Sequence, residues 1–149
     1  MVVRDGLSMI VIERAKHRSL TTVPLDIVVD RDLAKTALGR AYLALLPKCR
    51  RTAMLENIRQ VALEMLTTVE AGMKSGLAYF QTHGYTISGG DWMTDYHAVR
   101  MPLVLSNGNI LAFNCGGFAS QISLDDLPNL SQKLSAMVDE LGRTQGASR

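Results

Sequence analysis

H-A-V-R-M-P-L-V-L-S-N-G-N-I-L-A-F-N-C-G-G, residues 97 to 117, is the stretch on which the fold turns. Two apolar runs, His97–Leu105 and Ile110–Gly116, flank Ser106-Asn107-Gly108-Asn109, and Asn-Gly between such runs is a strong hairpin signal. Pairing centred on Asn107-Gly108 sets Leu105 opposite Ile110, Leu103 opposite Ala112, Met101 opposite Asn114 and Val99 opposite Gly116. Side chains alternate along a strand, so His97, Val99, Met101, Asn114 and Gly116 then share one face. Ala98, Arg100, Pro102, Phe113, Cys115 and Gly117 take the other. Both faces are largely apolar, which calls for layers on both sides of the sheet.

Pro102 selects the loop. A two-residue loop places its missing N–H at a hydrogen-bonded pair with Phe113, whereas a four-residue loop keeps the partners and moves Pro102 to a non-bonded site. The four-residue loop is preferred, and either choice leaves the faces unchanged. His97, Asn114 and the bare Gly116 then converge on an apolar surface, with walls from Val99 and Met101. Apolar walls, a few polar groups and a gap in place of a side chain describe a small-molecule pocket. A structural histidine and an Asn bonded to nearby backbone are the alternative. The sensing role rests on these three groups facing one cavity.

Outward from the hairpin, Leu7–Glu13 and Leu25–Val29 read as strands, the first preceded by the Asp5-Gly6 turn signal. Ala34, Ala37, Leu38, Ala41 and Leu45 recur at helical spacing up to Pro47. Arg51–His83 carries a long apolar stripe from Met54 through Val61 and Val69 to Phe80. Gly72 and Gly76 weaken it, so two helices are expected, with Gly84 as the stop. Tyr85–Ser88 reads as a short strand, and Leu127–Leu141 as an amphipathic helix with Ser123, Asp125 and Asp126 at its start. The tail from Arg143 is expected to be disordered. Strands, helices, a hairpin and a helix add up to one α+β domain, an antiparallel sheet with helices on both faces.

The chain has 149 residues, enough to bury a core without disulfides or metal. A net charge of +2 is too mild to argue for nucleic acid, and no apolar run approaches the ~18 residues of a membrane span. Two cysteines without metal-type spacing point to a reducing cytoplasm. No cofactor or metal is expected.

Several landmarks, in order, resemble the C-terminal effector-binding domain of the IclR-type (isocitrate lyase regulator) transcription factors. They are R-D-G-L-S-M-I-V-I-E-R (4–14), T-A-L-G-R-A-Y-L-A-L-L-P (36–47), G-Y-T-I-S (84–88), D-W-M-T-D-Y-H-A-V-R-M-P-L (91–103), Asn107-Gly108 and F-N-C-G-G (113–117). The likeness spans about Arg4 to Leu141. It implies a GAF-like fold, an effector held against the sheet, and assembly as a homodimer or tetramer. Carried over, ligand contacts fall at Ala37, Leu38, His97, Asn114 and Gly116, with Ser88 the nearest match after Gly84. Sensors of small acids resemble one another in small polar residues where this chain has His97, Asn114 and Gly116, so the effector does not follow by analogy. The resemblance also implies that DNA is read by a winged helix-turn-helix preceding this domain. No such element is read in this chain, which is expected to be an excised or truncated piece.

Thr36 is expected to cap a helix whose first amides, at Ala37, Leu38 and Gly39, receive a carboxylate. Gly39 in the first turn calls for a close approach, by ligand, strand or packing. A small organic acid or an aromatic metabolite is the expected effector. A Cys115–His97 dyad is the competing enzymatic reading, and the assigned register sets those two on opposite faces. Asp91 and Asp95 with Trp92 form a loop read either as metal-holding or, in preference, as a solvated loop or pocket lid. A pure oligomerisation module is a further alternative.

Overall fold

The computed structural model describes residues 1–15, 30–33, 36–61, 63–90 and 93–146. The expected strand Leu25–Val29, Ala34 and the Asp91-Trp92 loop lie outside the described residues.

Six strands form one sheet in the order β3-β2-β1-β6-β5-β4. The first hairpin pairs β1 (Val2–Asp5) with β2 (Ser8–Val11), and Asp5 faces Ser8 across a Gly6-Leu7 turn. Gly6 adopts φ 55°, the left-handed conformation that such a turn requires. β3 (Asp30–Asp32) borders β2, while β4 (Thr86–Gly89) borders β5 (Tyr96–Val104), which pairs along its whole length with β6 (Ile110–Phe118). β1 joins the two halves by facing β6, Val2 against Ala112.

Helices cover both faces, as the apolar alternation of the central strands requires. On one side α1 (Ala37–Leu45), α2 (Lys48–Val61) and α3 (Leu66–His83) enclose Met9, Leu33, Leu38, Leu43, Ile58, Val69, Ile110 and Ala112. On the other, α4 (Leu127–Gln145) lays Leu127, Leu134 and Val138 on Val99, Met101, Leu103 and Phe113. The buried positions of α4 are Leu127, Ser131, Leu134, Val138 and Gly142, one face of a 3.6-residue period. Each fully buried Leu or Val there contributes about 1.5–3 kcal/mol.

Three expectations about the helices are corrected. The break between α2 and α3 falls in a 3-10 turn at Leu63–Met65, and Gly72 and Gly76 lie inside α3. Val61, expected on the buried stripe, is 75% exposed. The chain at Arg143 is still helical, because α4 continues to Gln145 and closes on Gly146 at φ 58°. Gly84 does stop α3, at φ 75°, donating its N–H to the Phe80 carbonyl at 2.7 Å.

The central hairpin carries the largest correction. Gly108 donates to the Leu105 carbonyl, and Leu105 donates to the Asn109 carbonyl, both at 2.8 Å. With Gly108 at φ 78°, this is a three-residue loop, a turn closed by a left-handed glycine bulge. An odd loop shifts the pairing by one residue from both even-numbered alternatives. Arg100 therefore faces Asn114, Ala98 faces Gly116, Val99 faces Cys115 and His97 faces Gly117. Pro102 still escapes the ladder. The bonded pairs with β6 are the odd residues of β5, as Leu105–Asn109 and Asp95–Ala119 mark at the two ends. On its other side β4 begins opposite Arg100, short of Pro102.

Candidate functional site

The register decides which expected contacts meet. His97, Val99 and Met101 point to the α4 side, whereas Asn114 and Gly116 point to the α1–α3 side. The expected triad of His97, Asn114 and Gly116 does not form. Val99 (0% exposed) and Met101 (2%) are packed under α4 rather than lining a hollow. The His97 ring nitrogen Nδ1 lies 2.9 Å from the Ile122 carbonyl, which ties the start of β5 to the loop before α4. That is a structural histidine. Gly116 leaves no gap either. A Cβ there would overlap the His97 carbonyl oxygen and lie 2.6 Å from the Cβ of Ala98.

A different constellation occupies the α1–α3 side. Thr86 faces Arg100, and Arg100 faces Asn114, so these three side chains form a row across β4, β5 and β6. Ser88, Ala98 and Gly116 form the next row. Thr86 (5%), Ser88 (2%) and Arg100 (6%) are buried. Charged and hydroxyl groups rarely accumulate in an interior unless hydrogen bonding or ligand binding satisfies them. The Thr86 hydroxyl has no hydrogen-bond partner among the described residues. Of the expected contacts, Ser88, Asn114 and Gly116 therefore share this face, and α1 packs on it through Leu38.

The N-terminus of α1 is built as its sequence suggests. Thr36 is extended (φ −97°, ψ 148°), and its Oγ1 accepts from the Gly39 N–H at 3.0 Å. That bond occupies Gly39, one of the three amides assigned to a ligand, so only the Ala37 and Leu38 amides remain for that role. Gly39 itself answers to packing. A Cβ at that position would overlap the backbone of Leu33.

Arg100 and Thr86 are the residues that sequence reasoning missed. The signal was present, since Arg100 is the one Arg, Lys, Asp or Glu in the nine-residue strand and is flanked by apolar residues on both sides. The even-numbered loop turned it to the wrong face. The same slip removes the argument against a dyad, because His97 and Cys115 lie on one face. Burial instead pushes the Cys115 thiol up, away from the thiolate a nucleophile needs. No cluster of three or more His, Cys, Asp or Glu able to hold a metal occurs among the described residues.

A cavity of about 450 Å³ lies away from these rows, at the hairpin-tip end of the sheet. Tyr42, Leu46 and Ile110 are among its buried walls, and Arg4 and Arg50 also line it.

Residues 1–143 match the family model described as bacterial transcriptional regulator IclR C-terminal. The chain belongs to the IclR C-terminal family. An IclR-family transcriptional regulator from Brucella abortus is 32% identical, with a TM-score of 0.86 over 96% of this chain and 55% of that one. The Thermotoga maritima IclR is 18% identical, with a TM-score of 0.73 over 97% of this chain and 60% of its own. The inducer-binding domain of the Acinetobacter PobR transcription factor, a double mutant in complex with 3-hydroxybenzoic acid, is 16% identical. Its TM-score is 0.66 over 94% of this chain and 84% of that one. No curated protein matches the chain. The IclR domain described here thus spans little more than half the length of the Brucella regulator. The family is one of transcriptional regulators, not of enzymes, and its fold here is the expected GAF-like α+β sheet with helices on both faces. No helix among the described residues is long and apolar enough to cross a membrane.

Proposed function

We propose that this IclR domain is the effector-binding part of a homo-oligomeric cytoplasmic regulator, and that its effector is a small organic acid held on the α1–α3 side of the sheet. DNA is then contacted through a separate domain of the whole protein, and the dimer or tetramer transmits the effector's preference for one arrangement. The reading rests on one observation, the Thr86–Arg100–Asn114 row on the α1–α3 side, in which Thr86 and Arg100 are buried and Asn114 is half-buried.

The roles follow from chemistry. Arg100 supplies a planar guanidinium matched to a carboxylate. Asn114 offers a donor and an acceptor, and the Thr86 hydroxyl donates or accepts as the effector requires. Ser88 adds a second buried hydroxyl, while Ala98 and Gly116 keep the neighbouring row shallow. The Ala37 and Leu38 amides, at the positive end of α1, favour the same negative charge by about 0.3–2 kcal/mol. His97, Val99 and Met101 contribute to the scaffold and not to contact. The aromatic acid held by the PobR domain is consistent with this ligand class.

The test is a thermal-shift titration of the chain with benzoate, 3-hydroxybenzoate and succinate, each beside its neutral amide. At least one acid stabilises the protein while its amide does not, and Arg100→Met and Thr86→Val each weaken that response. Stabilisation by amides and acids alike, or an undiminished response in both variants, would defeat the proposal.

A further inference from the structure

We infer that the hairpin-tip cavity is a second ligand site, made for a carboxylate that carries a hydrocarbon body. Its volume of about 450 Å³ falls within the range of small-molecule sites, about 300–1,000 Å³. Its inner wall is apolar and buried, with Tyr42 at 6%, Leu46 at 5% and Ile110 at 7% exposure. Its rim carries two exposed guanidiniums. Arg4 uses Nη1 on the Gly6 carbonyl at 2.8 Å, and Arg50 uses Nη1 on the Gly108 carbonyl at 3.2 Å. No Asp or Glu among the described residues lines the cavity beside these two arginines. Each guanidinium presents further N–H donors in a planar fork, and an anion at the mouth satisfies both. An apolar floor under a doubly cationic rim fits an amphipathic monoanion and disfavours both cations and uncharged polar solutes.

The site is distinct from the polar row. Along β6, Ile110 and Asn114 are four residues apart, about 13 Å. Along α1, Leu38 and Leu46 are eight residues apart, about 12 Å. The two places lie at opposite ends of α1 and half a strand apart on β6, so neither needs the other to exist.

Decanoate is the probe, titrated calorimetrically into the full 149-residue chain beside decanol. Decanoate binds at least about tenfold tighter than decanol, and the Arg4→Gln/Arg50→Gln double variant loses at least about tenfold, the scale of one charge-assisted bond. Ala53→Trp, a substitution at an exposed lining position, fills the mouth and lowers affinity without touching either arginine. Amide shifts in the NMR spectrum centre on Gly108, Asn109 and Ile110. The inference is overturned by absence of binding, by equal affinity for decanol, by full affinity in both variants, or by shifts confined to Thr86, Ser88 and Asn114. That last result would leave the effector site of the preceding section standing. A failed effector site, in turn, leaves this cavity untouched.

Discussion

Arg100 lies directly opposite Asn114 on the central strand pair, in a non-hydrogen-bonded position where facing side chains come closest. The guanidinium and the carboxamide are thus neighbours on the face that α1 covers. Histidine, the polar group that the sequence reading aligned with Asn114, sits on the other face.

Thr86→Val separates binding from folding. The buried hydroxyl has no partner among the described residues, so its removal relieves a cost of about 1–3 kcal/mol. Urea denaturation of the unliganded variant is expected to show equal or higher stability than the parent. Affinity for a stabilising acid falls in the same variant. A marked loss of stability would mean the hydroxyl is bonded.

His97→Ala is expected to do the reverse. It removes the contact to the Ile122 carbonyl and lowers stability by about 1 kcal/mol. Acid binding, measured by the thermal-shift response relative to the variant's own midpoint, stays unchanged. Lost binding at intact stability would return His97 to the site.

Gly39→Ala inverts the usual helix-propensity rule. Alanine gains about 1 kcal/mol over glycine within a helix. Here the new methyl overlaps the backbone of Leu33, a residue that is itself fully buried. A net destabilisation on the order of 1–3 kcal/mol is expected in chemical denaturation.

Acid titration reports on the start of α4. The Asp126 carboxylate accepts from the Ser123 hydroxyl at 2.7 Å and from the Ser123 N–H at 2.8 Å, which holds it below the ordinary Asp value of 3.8. A carboxylate depressed in the folded state contributes stability above its unfolded value, and that contribution disappears as pH falls through the folded one. Asp126→Asn is therefore expected to flatten the stability profile below about the ordinary Asp value, relative to the parent. An identical acid slope in both proteins would refute the assignment.

Thiol reactivity separates the two cysteines. Cys49 is exposed in the first turn of α2, while burial pushes the Cys115 thiol up. Iodoacetamide at mildly alkaline pH is expected to label Cys49 first by mass spectrometry, with Cys115 following only as the domain opens. A thiol raised in the folded state also costs stability as pH climbs past its unfolded value. Cys115→Ala should blunt that alkaline decline.

Much of the architecture was legible in residues 1–149 alone. Thr36 before an alanine-leucine stripe marks a capped helix, Gly84 marks a stop, and Leu127, Leu134 and Val138 mark the face that α4 buries. These signals are local, carried by groups within one or two turns of each other, so no distant contact was needed to read them. Helix α2 was harder, because Val61 completes an apolar stripe that the fold leaves open to solvent.

What the sequence by itself determined is the pair of strands, the two-sided apolar sheet and the family pattern. What only the tertiary structure decided is which side chains share a face. Asn107-Gly108 serves equally as the middle of an even loop or as the end of a three-residue turn, where Gly108 alone takes the left-handed position. A strand repeats every two residues, so that single-residue difference sends Arg100 toward Asn114 and His97 away from it. Packing from α1 on one side and α4 on the other selects between the alternatives, and neither helix is near the turn in sequence.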